Sequence, residues 1–159
     1  MTAAAYAFAA DAYATRPRRP GRTFAHPIAV AALLDAYGEP PFVVVCGLLH
    51  DVLEDTAVSA DELRERFGDE VARVVGALTQ DEDEPRYRAR KAALRERTVA
   101  AGREAATVAL ADKADKLAAP SKRPRRRKRD HYRATLEAVE ARYGHTPLSE
   151  LLRARLDAL

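Results

Sequence analysis

The chain has 159 residues, of which 47% are hydrophobic and 32% charged, and its formal net charge is +3. That balance fits one domain spanning 1–159 with a core of its own and excludes wholesale disorder. The single cysteine, Cys46, excludes an intrachain disulfide, and no apolar run approaches the roughly 20 residues that a membrane-crossing helix needs.

Cys46 lies inside an apolar run, which reads as a packing thiol in a reducing cytoplasm. The Ala-rich start, MTAAAYAFAADAYAT, lacks a basic leader before its apolar part, and Asp11 interrupts it, so it reads as an amphipathic first helix. After a Pro/Arg/Gly loop at 16–22, HPIAVAALLDAYG predicts a helix from about His26, with Pro27 in its first turn and Gly38 as its stop. EPPFVVVCGLLHDVLEDT predicts a second, Pro-started helix running to about Glu54. Ser59 and Glu62 have capping-box spacing and open a short helix ending at Phe67-Gly68. DEVARVVGALT follows, with Val71, Val74, Val75 and Leu78 on one face. The polar break QDEDEP precedes a long helix from about Arg86 to Ala101, and Gly102 separates it from REAATVALADKADKLA. A basic loop covers 119–130, and two helices close the chain over 130–159, with Thr146-Pro147 between them. The class is all-α, a bundle of about eight or nine helices.

Residues 121–130, SKRPRRRKRD, hold seven Lys/Arg and one Asp, a net +6, so the remainder of the chain carries −3. Clustered cations contact phosphates without sequence demand. This segment has no interleaved aromatics and sits on an acidic body, which argues against nucleic acid as the partner. It can be a solvated loop or a gatherer of polyanionic substrate at the mouth of a site. His131 and His145 read as surface or capping residues.

The chemistry concentrates at 50–55. With His50 at zero on a helical projection, Glu54 falls at about 40°, Asp51 at about 100° and Asp55 at about 140°, opposite the packing residues. No Lys or Arg occurs between Glu39 and Arg64 to balance these acids. Adjacent carboxylates repel unless a cation compensates, and His with Asp suits Mn²⁺, Fe²⁺ or Zn²⁺. His26 in FAHPIAV and Asp112 in VALADK complete a candidate set of two imidazoles and two carboxylates, His26, His50, Asp51 and Asp112. Positions would remain open for water and a substrate oxygen. Glu54 and Asp55 are then suited to orient or deprotonate that water.

The segments FAHPIAVAALL, CGLLHDVLEDT, FGDEVARVVGALTQ, ARKAAL and VALADK, in that order over 16–118, resemble the HD-domain metal-dependent phosphohydrolases. Within them, they resemble the hydrolase domain of RelA/SpoT-type proteins and the stand-alone small alarmone hydrolases. The resemblance implies an HD-type helical bundle holding one Mn²⁺-like ion on the four candidate ligands (Fe²⁺, Zn²⁺, Co²⁺ or Mg²⁺ as alternatives). It implies Glu54 and Asp55 as the water-activating pair, and removal of the 3′-pyrophosphate from (p)ppGpp as the reaction. Arg18 and Arg19 match the family's basic pair near the nucleotide base, and Arg90 and Lys91 its pair on the long helix. Lys113 and Lys116 complete the candidate substrate-binding cations. Two positions depart from the pattern. Thr23 stands where an aromatic is usual, and Lys116 where an Asn usually faces the nucleoside; Lys116 can bind a phosphate or pair with Asp112. An adenine alarmone, NADPH or a nucleoside phosphate are alternative substrates, and a non-catalytic nucleotide- or RNA-binding protein is the alternative of another class.

Overall fold

The structure, a computed structural model, describes residues 2–81, 83–118 and 124–159. Ten helices and no strand occur among the described residues: α1 (Thr2–Thr15), α2 (Ala25–Ala36), α3 (Pro41–Leu49), α4 (Val52–Asp55), α5 (Ala60–Phe67), α6 (Asp69–Leu78), α7 (Tyr87–Ala100), α8 (Arg103–Lys116), α9 (Arg126–Tyr143) and α10 (Pro147–Asp157). The all-α class read from the sequence is the class observed. No helix among the described residues is long and apolar enough to cross a membrane.

Every residue of α3 from Val43 to Leu49 is buried. A helix apolar on all sides belongs at the centre of a bundle, which explains why VVV is helical here despite its β-branched side chains. α3 packs against α1, α2, α6 and α8. α8 is the second central helix, buried continuously from Ala105 to Ala111, and its small side chains let neighbours approach. α2 and α3 touch most closely at Gly47, where an added Cβ would lie 2.4 Å from Leu34 Cδ1 and 3.5 Å from the Ala31 Cα. This mutual packing of α2, α3 and α8 brings three distant stretches of chain to one place.

The N-terminal segment is fastened to the end of α4. Arg18 and Arg19 donate their backbone N–H groups to the Asp55 carbonyl at 2.8 and 3.3 Å, and Ala57 N–H donates to the Arg16 carbonyl at 2.9 Å. Upstream, α1 is the first helix expected and buries Ala5, Ala9, Ala12 and Tyr13 along one side, but Ala3, Ala4, Tyr6 and Ala7 make its exposed side largely apolar as well, so it is not the amphipathic helix read from the sequence.

The structure corrects three further expectations. The second predicted helix is not continuous to Glu54: it breaks at His50-Asp51 and resumes as the one-turn α4. The His50 ring turns back to donate from Nδ1 to the Gly47 carbonyl at 2.8 Å, and Asp51 adopts φ −101°, ψ −1°, outside the regular helix. The basic segment is not loop throughout, because α9 begins at Arg126; residues 119–123 of that expected loop lie outside the described residues. Four cations in a first helical turn oppose the helix dipole. Contacts with rings offset this: Arg127 lies 4.8 Å from the Tyr87 ring centre and Lys128 5.6 Å from that of Tyr132. The capping box at α5 is half formed. Ser59 Oγ accepts from Glu62 N–H at 3.1 Å, but the Glu62 carboxylate pairs with Arg16 instead of closing back.

Candidate metal centre and active site

His26, in the first turn of α2, His50, at the end of α3, and Asp112, late in α8, each offer a ligand atom, and these atoms lie within 4.8 Å of one another. His26 Nε2 is 2.9 Å from Asp112 Oδ1. Asp51 Oδ2 lies 3.3 Å from His50 Nε2 and 3.9 Å from His26 Nε2. Three of the four residues named from the sequence, His26, His50 and Asp112, therefore meet at one point between α2, α3 and α8, and Asp51 stands beside it against both imidazoles.

The tautomer of His50 is set by its surroundings. The Gly47 carbonyl can only accept, so Nδ1 keeps a proton in either charge state, and Nε2 is the atom left for a second proton or a metal ion. Nε2 is buried without a hydrogen-bond partner, facing the carboxylates of Asp51 and Asp112. An orphaned imidazole nitrogen beside two carboxylates is the donor set that a divalent cation completes. Electrostatics agree. Burial disfavours the His50 cation, yet Asp51 and Asp112 override it and push the imidazole up to about 10. Burial also works against ionised Asp112 and Asp51, but Lys116 and His26 beside the first, and His50 beside the second, hold both carboxyls well below their ordinary values. The carboxylates thus demand positive charge, which a divalent ion can supply in place of a proton.

A cleft of about 280 Å³ opens beside this point. Asp51, Glu54, Asp55 and Asp112 line it, and Arg19, Arg22, Lys91, Lys113, Lys116 and Lys128 bring six cations to it. Glu54 is held from two directions: its Oε1 accepts from Gln80 N–H at 2.7 Å, and its Oε2 meets Arg19 at 3.0 Å. Asp55 faces Tyr13 Oη at 3.4 Å, Arg19 at 3.6 Å and Arg22 at 3.7 Å. Burial and the neighbouring Asp51 raise the Asp55 carboxyl above its usual range, against the pull of Arg22 and Arg19. Lys91 donates to Gln80 Oε1 at 2.8 Å, and burial pushes its ammonium down to about 8. Lys116 approaches Asp112 Oδ1 to 2.5 Å, so the pairing open at the level of sequence is present.

Of the six candidate substrate cations, Arg19, Lys91, Lys113 and Lys116 line the cleft. Arg18 and Arg90 do not. The Arg18 guanidinium is exposed, 3.5 Å from the Leu53 carbonyl, and Arg90 donates to the Glu84 carbonyl at 2.6 Å. His131 corrects its expected surface role: it is buried, lines the cleft, and is pushed down to about 3 by burial and by Lys113. His145 is exposed and pairs with Glu140, as a surface residue should. Sequence reasoning missed Gln80, Tyr13, Arg22 and Tyr132. It also missed Asp115, whose Oδ2 lies 2.7 Å from His26 Nδ1. The signal for Asp115 was its i+3 spacing from Asp112, which puts both on one face of α8.

Residues 5–138 match the family described as HD domain. The chain belongs to the HD domain family. Its HD dipeptide is His50-Asp51, placed at the break between α3 and α4. A probable guanosine-3′,5′-bis(diphosphate) 3′-pyrophosphohydrolase of Synechocystis is 40% identical over 77 residues, 48% of this chain and 10% of that protein. The Aquifex aeolicus guanosine-3′,5′-bis(diphosphate) 3′-pyrophosphohydrolase is 38% identical over 77 residues, 48% of this chain and 11% of its own length. This HD domain thus spans about a tenth of the length of the curated relatives it matches. Among solved structures, a metazoan ortholog of SpoT that hydrolyses ppGpp aligns with a TM-score of 0.76 at 24% identity. The alignment covers 97% of this chain and 92% of that one, a likeness of fold. A Listeria monocytogenes EGD-e protein aligns with a TM-score of 0.69 at 30% identity, covering 85% of this chain and 94% of its own.

Proposed function

We propose that this HD domain is a metal-dependent hydrolase that removes the 3′-pyrophosphate from (p)ppGpp. The observation that carries the reading is the orphaned His50 Nε2, buried and facing Asp51 and Asp112, two carboxylates that line a cleft together with six cations. Carboxylates around a candidate metal point, sharing one cleft with six cations, are the complement of a phosphorylated substrate. The guanosine nucleotide comes from the relatives' names, not from the cleft itself.

His26, His50, Asp51 and Asp112 would hold one divalent ion, with Mn²⁺ as the first choice by family resemblance. When bound, such an ion polarises a phosphoryl oxygen and lowers the pKa of a water molecule. Arg19, Lys91, Lys113 and Lys128 neutralise the pyrophosphate oxygens and orient the phosphorus toward the carboxylates. Glu54, fixed by Gln80 and Arg19, orients the attacking water. Asp55, with its raised carboxyl, takes up the proton that the water releases. The water oxygen bonds to the phosphorus carried by the 3′-oxygen, the bond to the 3′-oxygen breaks, and that oxygen leaves as a hydroxyl after protonation.

The test is pyrophosphate release by the Mn²⁺-loaded protein from ppGpp, pppGpp, ppApp, NADPH and nucleoside phosphates. Release from ppGpp and pppGpp that is lost on His50→Ala or with a chelator is the expected result. Release only from another nucleotide would replace the substrate and retain the chemistry. Absence of both hydrolysis and bound metal would overturn both.

A further inference from the structure

His26 and His50 offer Nε2 to the same point, and each ring is held from behind through Nδ1, but by different groups. Behind His50 is a neutral backbone carbonyl, that of Gly47 at 2.8 Å. Behind His26 is a carboxylate, Asp115 Oδ2 at 2.7 Å. A carboxylate behind a metal-binding imidazole fixes the Nδ1–H tautomer, aims the ring and raises the basicity of the other nitrogen. Asp115 is one helical turn beyond Asp112 on α8, so one helix carries both a candidate ligand and the group that steers another. The ring of His26 lies edge-on to that of His50, with centroids 5.3 Å apart and planes at 79°. A free rotation of His26 would therefore carry its Nε2 away from the shared point.

Resting on the metal-centre reading above, we propose that Asp115 is a positioning residue for the metal site. It locks His26 in the Nδ1–H tautomer and strengthens Nε2 as a ligand. The bland role open to Asp115 is a charge partner for the first turn of α2, where a carboxylate favours the helix dipole. The two roles separate cleanly. A charge partner stabilises the metal-free fold, whereas a positioning residue changes metal affinity and the tautomer of one imidazole.

The experiment titrates Mn²⁺ alone into metal-free wild type, Asp115→Asn, Asp115→Ala and Asp115→Glu, without any nucleotide. The melting temperature of each metal-free protein and its imidazole ¹⁵N shifts are recorded alongside. Losing the carboxylate behind a metal-binding imidazole weakens metal binding by about 10- to 100-fold, and that is the expected effect of Asp115→Asn and Asp115→Ala. The metal-free melting temperatures should stay close to wild type, Asp115→Glu should recover part of the affinity, and the neutral His26 ring in Asp115→Ala should carry its proton on Nε2, where Asp112 Oδ1 at 2.9 Å is the remaining acceptor. Wild-type binding with unchanged affinity in Asp115→Asn and Asp115→Ala overturns the positioning role while the metal centre stands. Failure of the wild type to bind Mn²⁺ overturns the metal centre and the positioning role with it.

Discussion

Lys91 gives the cleft a measurable alkaline limit. Its ammonium is a hydrogen-bond donor to Gln80 at 2.8 Å, and burial lowers its pKa from 10.5 to about 8, with Glu54 pulling the other way. A lowered lysine pKa means that the cation is present below that value and lost above it. With a pKa of about 8, Lys91 is about 90% charged near pH 7 and about 10% charged near pH 9. If the charged form binds the pyrophosphate, KM should rise about tenfold across that interval while kcat changes little. Lys91→Met should raise KM at every pH and flatten the profile, by about 10- to 100-fold near pH 7, since a hydrogen bond to a charged group contributes about 1.5–3 kcal/mol. Lys91→Arg, which stays charged throughout, should keep KM low and remove the rise. The assay is initial-rate pyrophosphate release over pH 6.5–9.5 with saturating Mn²⁺. A flat wild-type KM, or a rise that survives in Lys91→Arg, would refute the reasoning.

Three further outcomes follow from the geometry. Glu54→Gln keeps the size of the side chain but not its charge, so bound Mn²⁺ measured by elemental analysis should be retained while kcat falls about 10²- to 10⁴-fold; loss of the metal would make Glu54 a ligand. Gly47→Val should lower the melting temperature by about 3–10 °C, because overpacking costs about 1–3 kcal/mol and the side chain must displace fully buried Leu34; an unchanged transition in calorimetry would show that α2 and α3 can part there without cost. Cys46, with its thiol pushed up to about 12 by burial, should resist a disulfide reagent near pH 8 in the folded protein and react fully in denaturant; rapid labelling of the folded protein would contradict the packing described.

Much of this arrangement was legible in the sequence because helix periodicity and punctuation agree locally. Gly38, Gly68 and Gly102 all adopt positive φ at the helix boundaries where they were expected. The break at His50-Asp51 was not legible, since GLLHDVLED keeps helical spacing straight through it; the competing hydrogen bond comes from a side chain, not from a pattern. The start of α9 was hidden for a different reason. Four cations in a first turn contradict the dipole rule, so Asp130 looked like the natural beginning, and only ring contacts with Tyr87 and Tyr132 show why Arg126 serves. The proposed metal ligands were readable because His and Asp are conspicuous in apolar segments such as VALADK, which is what made them candidates. Gln80 and Tyr13 were not, because they sit at helix ends or on packed faces and acquire meaning only from what folds against them.

The fastening of residues 16–19 to the end of α4 separates two properties that the motif makes look inseparable. His26, His50, Asp51 and Asp112 all lie downstream of that segment, whereas Arg19, which braces Glu54, and Tyr13, which faces Asp55, lie within it or before it. On the proposed function, the residues that would capture the ion and those that would control the water therefore draw on different lengths of chain. A fragment beginning at residue 20 would keep the four candidate ligands but also uncover the faces of α3 and α4 that α1 packs against, so Arg19→Ala and Tyr13→Phe in the full chain are the changes that separate the two. On that reading ion occupancy would be a poor proxy for turnover, because a part of the chain without a recognisable motif would separate a loaded site from a working one.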